Sequence, residues 1–319
     1  MKQKLSNIKG FEKSVTYAAS LVAISLWGAS YIWSDILIAQ GVSIFYFVFV
    51  RIFIAGLLLL LMNAAVGKLT KIKRKDIPTF LVLALCEPFV YFLCETYGIK
   101  LTGSPTISAL AIATIPIFSI FAGVTFFKEK IYAINVVGIF LCLGGIVMVA
   151  MAAGDLGPNF LWGIIFLLVA VVAEVAHASL TRKLSDGYSS SVIVMYQFLI
   201  GSVYLFPLFL FKGLDNFDPS VHLSWNVWGP VLCLAAFCSS LAFTLWVSTI
   251  KKLGVAKSSI FSALIPVASA LIAWIIGREL LSVRQWIGVF ICVVGIILSQ
   301  KCKDCKNEVS VRSTEDPVK

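Results

Sequence analysis

A series of apolar runs, each long enough to cross a lipid bilayer, constrains this chain more than any other feature. A helix that spans a bilayer needs about 20 mostly apolar residues, and ten runs of that kind follow one another along the 319 residues. The predicted spans are Tyr17–Ile38, Ile44–Val66, Ile77–Tyr97, Ser104–Phe127, Tyr132–Ala153, Phe160–Thr181, Ser190–Phe211, Val227–Thr249, Ser258–Ile276 and Val283–Ser299. We therefore expect an all-α integral membrane protein with ten transmembrane helices.

The composition leaves no room for a separate water-soluble domain. Hydrophobic residues make up 60% of the chain and charged residues 13%, whereas a soluble protein is about half apolar and about a quarter charged. The net charge of +10 would suit nucleic acid only on a solvated basic domain, and no segment has that composition. We expect the lipid bilayer and a small-molecule substrate as partners, and no nucleic acid.

Basic residues are distributed unequally between the two ends of the predicted helices. With the N-terminus in the cytoplasm, segments such as KLTKIKRKD face that side, and the loop residues that face the other side are Lys100, Lys212, Arg278 and Arg284. Cytoplasmic loops collect Lys and Arg, so this distribution predicts that both termini are cytoplasmic. The N-terminal segment lacks a small-residue cleavage site behind a short apolar core, so we interpret it as retained rather than as a signal peptide.

The second half of the sequence repeats the first. Residues 108–146 align with residues 258–296 without a gap, and the most specific matches are Pro116/Pro266, Glu129/Glu279, Gly138/Gly288 and Gly145/Gly295. Each copy holds five predicted helices, an odd number, so the second copy enters the membrane upside down, as is typical of secondary transporters. The expected division is a cytoplasmic segment at 1–16, repeats at 17–155 and 156–300, and a disordered cytoplasmic tail at 301–319.

Five segments carry a family resemblance: SLWGASYIWS in helix 1, FVRIFIAG in helix 2, YGIKLTGSPTISAL before helix 4, TIPIFSIFAGVTFFKEK in helix 4 and ALIPVASALIAWIIGREL in helix 9. Together they resemble the EamA-type branch of the drug/metabolite transporter superfamily. The resemblance implies two inverted five-helix repeats around a central cavity lined by helices 1, 3, 4, 6, 8 and 9. It also implies alternating-access transport of a small metabolite (an amino acid, an amine or a drug-like compound), often export, in a bacterial-type inner (plasma) membrane.

Polar and ionisable side chains inside the predicted helices mark the expected cavity. Glu174 and His177 lie three residues apart on helix 6 and so share one face. On helix 3, Glu87, Tyr91 and Glu95 recur every fourth residue, which predicts a single stripe on a regular helix. Because a charge at the bilayer centre costs about 3 kcal/mol, these groups should face water, a partner or a substrate. The expected substrate-binding residues are Glu174, His177, Trp27, Ser30, Tyr31, Glu87, Tyr91, Glu95 and Thr244.

The balance of membrane-embedded charges bears on the cargo. Glu87, Glu95, Glu174 and Asp35 outnumber Arg51, so an ionised cavity would be net negative. We therefore expect amine-bearing or zwitterionic metabolites to be favoured over organic anions.

Other interpretations of the Glu174/His177 pair stay open. The pair can bond neighbouring helices, or serve a metal-ion transporter, because Glu-x-x-His is a ligand spacing in helical di-metal sites. The remaining histidine, His222, lies in a predicted outer loop, so we expect neither a bound metal nor a cofactor. An intramembrane enzyme is a further alternative, but neither G-x-S-x-G nor H-E-x-x-H occurs. Without a nucleotide-binding loop, active transport would draw on a proton or substrate gradient.

Four residues are expected to act in structure or gating. Pro116 and Pro266 should kink helices 4 and 9. Arg51 should serve as a structural partner within the bundle, and its repeat counterpart is Gln197. In the tail, Cys302 and Cys305 supply two thiols, whereas a zinc site usually takes four ligands, so we expect a solvated tail.

The charge distribution generates a topological prediction. Reporter tags at the N-terminus and after Lys319 should both be found in the cytoplasm, and a tag in the loop 213–225 should be external. Protease accessibility in intact and permeabilised cells measures this. Termini on opposite sides of the membrane would contradict the ten-helix count.

Overall fold

The computed structural model describes residues 2–118, 132–152, 158–215, 217–254, 258, 261–262, 264–277 and 281–299, with side chains from residue 14 onward. The predicted tail 301–319, including Cys302 and Cys305, lies outside the described residues, as do Glu129 and Glu279 of the repeat alignment.

Throughout the described part of the chain the regular structure is helical, with no strand. Within it, seven helices are long and apolar enough to cross a membrane, and three apolar helices are shorter. In chain order they are α1 Lys2–Ala39, α2 Ile44–Ala65, α3 Arg74–Thr102, α4 Pro105–Phe118, α5 Ala133–Ala152, α6 Phe160–Leu184, α7 Ser190–Gly213, α8 Trp225–Leu253, α9 Ile265–Ile276 and α10 Val283–Ser299. The all-helical fold that the sequence predicted is confirmed.

The outer surface of the bundle is apolar. Large hydrophobic side chains such as Leu61, Phe140 and Ile275 are exposed, whereas a soluble monomer rarely shows contiguous apolar patches of this extent. Buried positions include polar residues such as Arg51 and Gln197. A surface more apolar than parts of the interior suits a chain surrounded by lipid.

The reversal between α3 and α4 shows how local sequence sets a helix boundary. Gly103 adopts a left-handed conformation with φ 65°, which glycine reaches without a Cβ clash. Ser104 then caps α4 by accepting a hydrogen bond from the Ile107 N–H at 3.2 Å. Pro105 follows in the first turn, where its missing N–H has no helical partner to lose. The sequence Gly-Ser-Pro therefore ends one helix and starts the next.

Helix α3 is interrupted at Leu85–Val90, where the turns widen. Proline disfavours helical geometry in the preceding residue, and Glu87, which precedes Pro88, has extended backbone angles of φ −147° and ψ 123°. The predicted regular stripe of Glu87, Tyr91 and Glu95 is therefore wrong in its geometry. The break changes the direction in which Glu87 leaves the backbone.

Helix α8 has a similar widened segment at Leu234–Leu241. Helix α2 packs against this segment, and α7 packs against the interrupted segment of α3. Ser240 donates to the Ala55 carbonyl at 3.3 Å in the first contact, whereas the second brings Gly201 against Pro88. The third helix of each predicted repeat is thus irregular at a similar position along its length. In each case the irregular segment packs against the second helix of the other repeat.

Pro116 and Pro266 do not lie in the middle of continuous helices, as the prediction of kinked helices required. Helical bonding in α4 is interrupted after Ile112, and Pro116 is the second residue after it resumes. Helix α9 begins at Ile265, after a turn at Leu264, so Pro266 lies in its first turn. Proline fits a first turn because no helical donor is lost there.

The packing of the helices surrounds a central space. Helix α1 packs against α8 and α9, whereas α6 packs against α3 and α4. Helices α2 and α7 pack against each other. The first helix of each half thus packs against the third and fourth helices of the other half, and the second helices of the two halves pack against each other.

Helices α5 and α10 form the closest helix pair. A Cβ atom added at Gly145 would lie 2.6 Å from both the Cys292 amide nitrogen and the Gly288 carbonyl oxygen. Two glycine pairs face each other across the contact, Gly138 with Gly295 and Gly145 with Gly288. In each pair, a Cβ added to either glycine would meet the carbonyl oxygen of the other. Midway between them, the thiol sulfurs of Cys142 and Cys292 lie 3.4 Å apart. Small residues let membrane helices approach closely.

This contact predicts the effect of one added side chain. Gly145→Val should force α5 and α10 apart, because a new Cβ would meet backbone atoms that cannot rotate away, and should lower stability by about 1–3 kcal/mol. Gly144→Val is the matched control, since a Cβ there meets nothing within 4 Å. Thermal unfolding of the detergent-solubilised variants measures the difference. Equal melting temperatures for the two variants would contradict the packing.

Candidate functional site

A cavity lies between the helices of both halves, and the space free of atoms within it, open solvent included, is about 670 Å³. Seven of the nine predicted substrate-binding residues line it, and they are Trp27, Ser30, Tyr31, Glu87, Tyr91, Glu95 and Glu174. The other lining residues are Arg51, Phe92, Ile112, Ile115, Ala178, Phe243, Trp246, Ile250, Ser258, Ser262 and Ile265. The lining comes from the helices that the family resemblance implied, with Arg51 of α2 in addition.

Glu87, Glu174 and His177 form a buried cluster, and its two glutamates line the cavity. The Nδ1 atom of His177 lies 2.9 Å from Glu174 Oε2 and 2.9 Å from Glu87 Oε2. One ring nitrogen carries at most one proton and donates well to one acceptor. Glu87 Oε2 accordingly has no hydrogen-bond partner of good geometry among the described residues, although it is buried. The cluster thus contains two carboxylates, whereas the Nδ1–H of His177 can satisfy one of them.

The far side of the His177 ring is held by two other residues. Its Nε2 atom lies 3.3 Å from the Gln197 side-chain oxygen on α7 and 3.2 Å from the Thr181 hydroxyl. His177 is fully buried and does not line the cavity. It therefore supports the two glutamates from behind, rather than facing the cavity beside Glu174 as the helical spacing predicted.

The cluster has the chemistry of a cation site. The three ligand-type atoms lie within 4.8 Å of one another, and two carboxylates at that distance repel each other strongly in a medium of low dielectric constant. A proton, a substrate ammonium group or a metal ion between them relieves the repulsion. Three protein groups could also hold a divalent metal, because the imidazole and carboxylates are suitable ligands.

At another part of the wall lie Arg51 and Glu95. The Arg51 Nε donates to Ser239 Oγ at 2.8 Å, and the guanidinium carbon lies 4.2 Å from the centre of the Phe92 ring. Glu95 Oε1 accepts a hydrogen bond from Tyr91 at 3.0 Å. Arg51 was expected to be a structural partner, and it has such a partner in Ser239, but it is also part of the cavity lining.

Aromatic rings form much of the remaining wall. Trp27 contacts Phe243 and Trp246 edge to face, with ring centroids 5.0 Å and 5.1 Å apart. The Trp27 indole N–H donates to the Cys238 carbonyl at 3.1 Å, inside the widened segment of α8. Trp27 therefore contributes its ring to the cavity and its N–H to the α8 backbone.

Thr244 lies outside the cavity lining, in contrast to the prediction. Its hydroxyl donates to the Ser240 carbonyl one turn earlier in the same helix, at 2.7 Å. The residues that face the cavity from α8 are instead Phe243, Trp246 and Ile250. Reasoning from the sequence missed them because it selected polar residues, and these three are apolar. Their spacing of three and four residues was the available signal.

An all-helical chain with an apolar outer surface and a buried, charge-bearing cavity has the architecture of a membrane transporter. The chain belongs to the EamA-like transporter family, because the family model matches residues 14–151 and again residues 161–300. The protein is therefore an integral membrane protein that transports a small molecule, and it is not an enzyme. The family resemblance seen in the sequence is confirmed.

Individual relatives agree with the family assignment. The chain is 27% identical to an uncharacterized transporter of Bacillus subtilis, YetK, over 88% of this chain and 84% of that protein. It is 23% identical to a probable terminal-alkyne amino-acid exporter of Streptantibioticus cattleyicolor, over 71% of this chain and 74% of that protein. A crystal structure shares the fold with a TM-score of 0.68 and 19% identity, over 94% of this chain and 99% of that one.

The two tryptophans of the cavity generate a matched prediction. Trp27→Phe removes the hydrogen bond to the Cys238 carbonyl and should cost about 1 kcal/mol, the typical net contribution of an intramolecular hydrogen bond. Trp246→Phe should cost less, because the buried Trp246 N–H has no hydrogen-bond partner among the described residues. Thermal unfolding of the two purified variants gives the comparison. A larger loss for Trp246→Phe would refute the role assigned to Trp27.

Proposed function

We propose that this transporter exports a small amine-bearing metabolite, zwitterions included, across a bacterial plasma membrane. The observation that carries the proposal is the charge of the cavity lining, where Glu87, Glu95 and Glu174 outnumber Arg51. Buried charge of one sign favours a ligand of the other sign, because removing either from water is costly unless they pair. An ammonium group provides that pairing, and an organic anion does not.

The proposed architecture is ten transmembrane helices in two inverted repeats, residues 17–155 and 156–300, with both termini cytoplasmic. Two observations support it. Family matches cover each half separately, and repeat-equivalent residues meet in the cavity wall. With helix 1 aligned to helix 6 at an offset of 147 residues, and helix 4 to helix 9 at an offset of 150, the equivalent pairs in the lining are Trp27/Glu174, Tyr31/Ala178, Ile112/Ser262 and Ile115/Ile265. Such pairs support a site between the two halves, which is where inverted-repeat transporters bind substrate.

The transport cycle we propose is alternating access, in which the two halves rock around the cavity. The interruptions that precede Pro116 and Pro266 are suited to gating, because helical bonding is already broken there. The Glu87–His177–Glu174 cluster accepts either a proton or the substrate ammonium group, since each relieves the same carboxylate repulsion. Exchange of one for the other would couple export to a proton gradient.

The amino-acid exporter of S. cattleyicolor bears on the substrate class. An amino acid carries the ammonium group that the acidic lining requires, and the aromatic wall suits an apolar side chain. Amino acids and related amines are therefore the first compounds to assay. The decisive test is substrate-dependent flux in proteoliposomes that contain the purified protein, with a panel of amino acids, amines, dicarboxylates and phosphates. Flux of dicarboxylates or phosphates alone would overturn the proposal.

The acidic cluster generates a prediction about flux. Glu174→Gln and His177→Asn keep approximate size and hydrogen bonding, and each should reach the membrane at near-normal levels. Each should lower flux roughly tenfold or more, or shift its pH dependence, because a charge-assisted contact is lost. Ser179→Ala is the control on α6, since Ser179 is exposed on the outer face of the same helix. Wild-type flux and pH profile in both cluster variants would assign the pair a purely structural role.

A divalent metal ion is a second candidate cargo. The observation in its favour is Glu87, which adds a ligand from α3 to the Glu174/His177 pair and so makes three. Uptake of Zn²⁺ or Mn²⁺ into proteoliposomes loaded with a fluorescent chelator distinguishes the two cargoes. Saturable metal uptake that Glu87→Gln abolishes, without any flux of amines, would favour the metal ion.

A further inference from the structure

Arg51 is a buried cation in the wall of the cavity, with part of its hydrogen-bonding capacity unused. The Ser239 hydroxyl and the Phe92 ring hold the guanidinium in place. The residue is 1% exposed, yet its Nη1 has no hydrogen-bond partner in the described part of the chain. Because the guanidinium is planar and these two contacts hold it in place, the orientation of its unbonded N–H groups is also fixed.

No direct ion pair with Arg51 occurs among the described residues, where the ion pairs join other groups. Glu95 acts on Arg51 electrostatically, but its Oε1 accepts a hydrogen bond from Tyr91. An unsatisfied donor on a buried charged group is costly. Such a group is explained when a ligand supplies the missing acceptor.

The position of Arg51 relative to the acidic cluster suggests what that ligand is. Gln197, the repeat counterpart of Arg51, contacts the His177 ring of the acidic cluster. Arg51 itself contacts Ser239 in the widened segment of α8. The same repeat position thus holds a residue that supports the acidic cluster in one half and a cation of the cavity wall in the other. A cavity whose wall contains both the acidic cluster and an incompletely bonded guanidinium is complementary to a dipolar ligand.

We infer that Arg51 binds the carboxylate of the substrate, while Glu87 and Glu174 bind its ammonium group. The cavity then selects amino acids over amines that lack a carboxylate. Guanidinium and carboxylate groups match in geometry through paired N–H···O bonds, so the contact is specific as well as strong. This inference rests on the proposed function, which requires the ammonium group alone.

The test uses two pools of compounds that differ in one group. Proteoliposomes containing the full chain are offered the standard amino acids or the corresponding amino-acid amides, at a mildly acidic pH where both carry an ammonium group. The amide has the shape of the carboxylate without its charge. Wild-type protein should transport amino acids about tenfold to a hundredfold faster than amides, as expected for a hydrogen bond to a charged group.

Variants of Arg51 separate recognition from folding. In Arg51→Gln, amino-acid flux should fall to the level of amide flux, and amide flux should persist. Arg51→Lys keeps the charge but not the planar fork, so its preference should lie between the other two. Asn63→Ala is the control on α2, because Asn63 is buried outside the cavity and its side chain bonds Leu59 on its own helix and Ser191 on α7, away from the cavity lining. This variant should keep the wild-type preference.

The outcomes are distinguishable. If the wild type transports amides as fast as amino acids, the Arg51 inference is wrong and the proposed function stands. Loss of both fluxes in Arg51→Gln, with Asn63→Ala intact, would assign Arg51 a structural role and overturn the inference. If neither pool moves in the wild type while anions do, the proposed function itself fails.

Discussion

Backbone hydrogen bonding in the absence of water is the constraint on which this structure depends. Within a bilayer, every N–H and C=O must find a partner inside the protein, since each unsatisfied group costs several kcal/mol. An interrupted helix is therefore tolerable only where other helices enclose it. The interruptions at Leu85–Val90 and Leu234–Leu241 are packed against α7 and α2. Trp27 satisfies a carbonyl in the second of them. Glu87, inside the first of these breaks, lines the cavity.

The same enclosure decides what the charged groups can do. In a medium of low dielectric constant, a carboxylate or guanidinium that lacks a partner is expensive, so each must be paired within the fold or by a ligand. His177 Nδ1 lies 2.9 Å from an oxygen of each glutamate but can donate to one of them at a time, and the ring is itself held by Gln197. Arg51 is incompletely paired among the described residues. The cavity is thus more stable with a suitable ligand bound than without one, which is the thermodynamic basis of selectivity.

The sequence predicted the helical class and most of the charged lining, because both follow from the cost of polar groups in lipid. Glu95, Tyr91 and Tyr31 were identified in this way, and all three line the cavity. The reasoning failed where it assumed a regular helix. The dipeptide Glu87-Pro88 was a readable signal for a break in α3, because proline disfavours helical geometry before it.

Other features of the site could not be read from one sequence. The widened segment of α8 contains no proline, so nothing in its residues marks it. The contact between His177 and Glu87 joins α6 to α3, and periodicity within a helix carries no information about which helices meet. Arg51 lines the cavity instead of packing only against a neighbouring helix. That placement likewise depends on how the helices pack, which one sequence does not show.

The contact between α5 and α10 has a form usually found between subunits. Cys142 meets its own repeat equivalent, Cys292, and the flanking glycines exchange partners across that point. In a symmetric dimer this is an isologous interface, in which one surface pairs with a copy of itself. Here both copies belong to one polypeptide, so a substitution alters one side of the interface and not the other. The two halves can therefore diverge around the cavity, with Arg51 in its wall in one half and Gln197 behind the acidic cluster in the other, while the contact between α5 and α10 keeps its self-complementary shape.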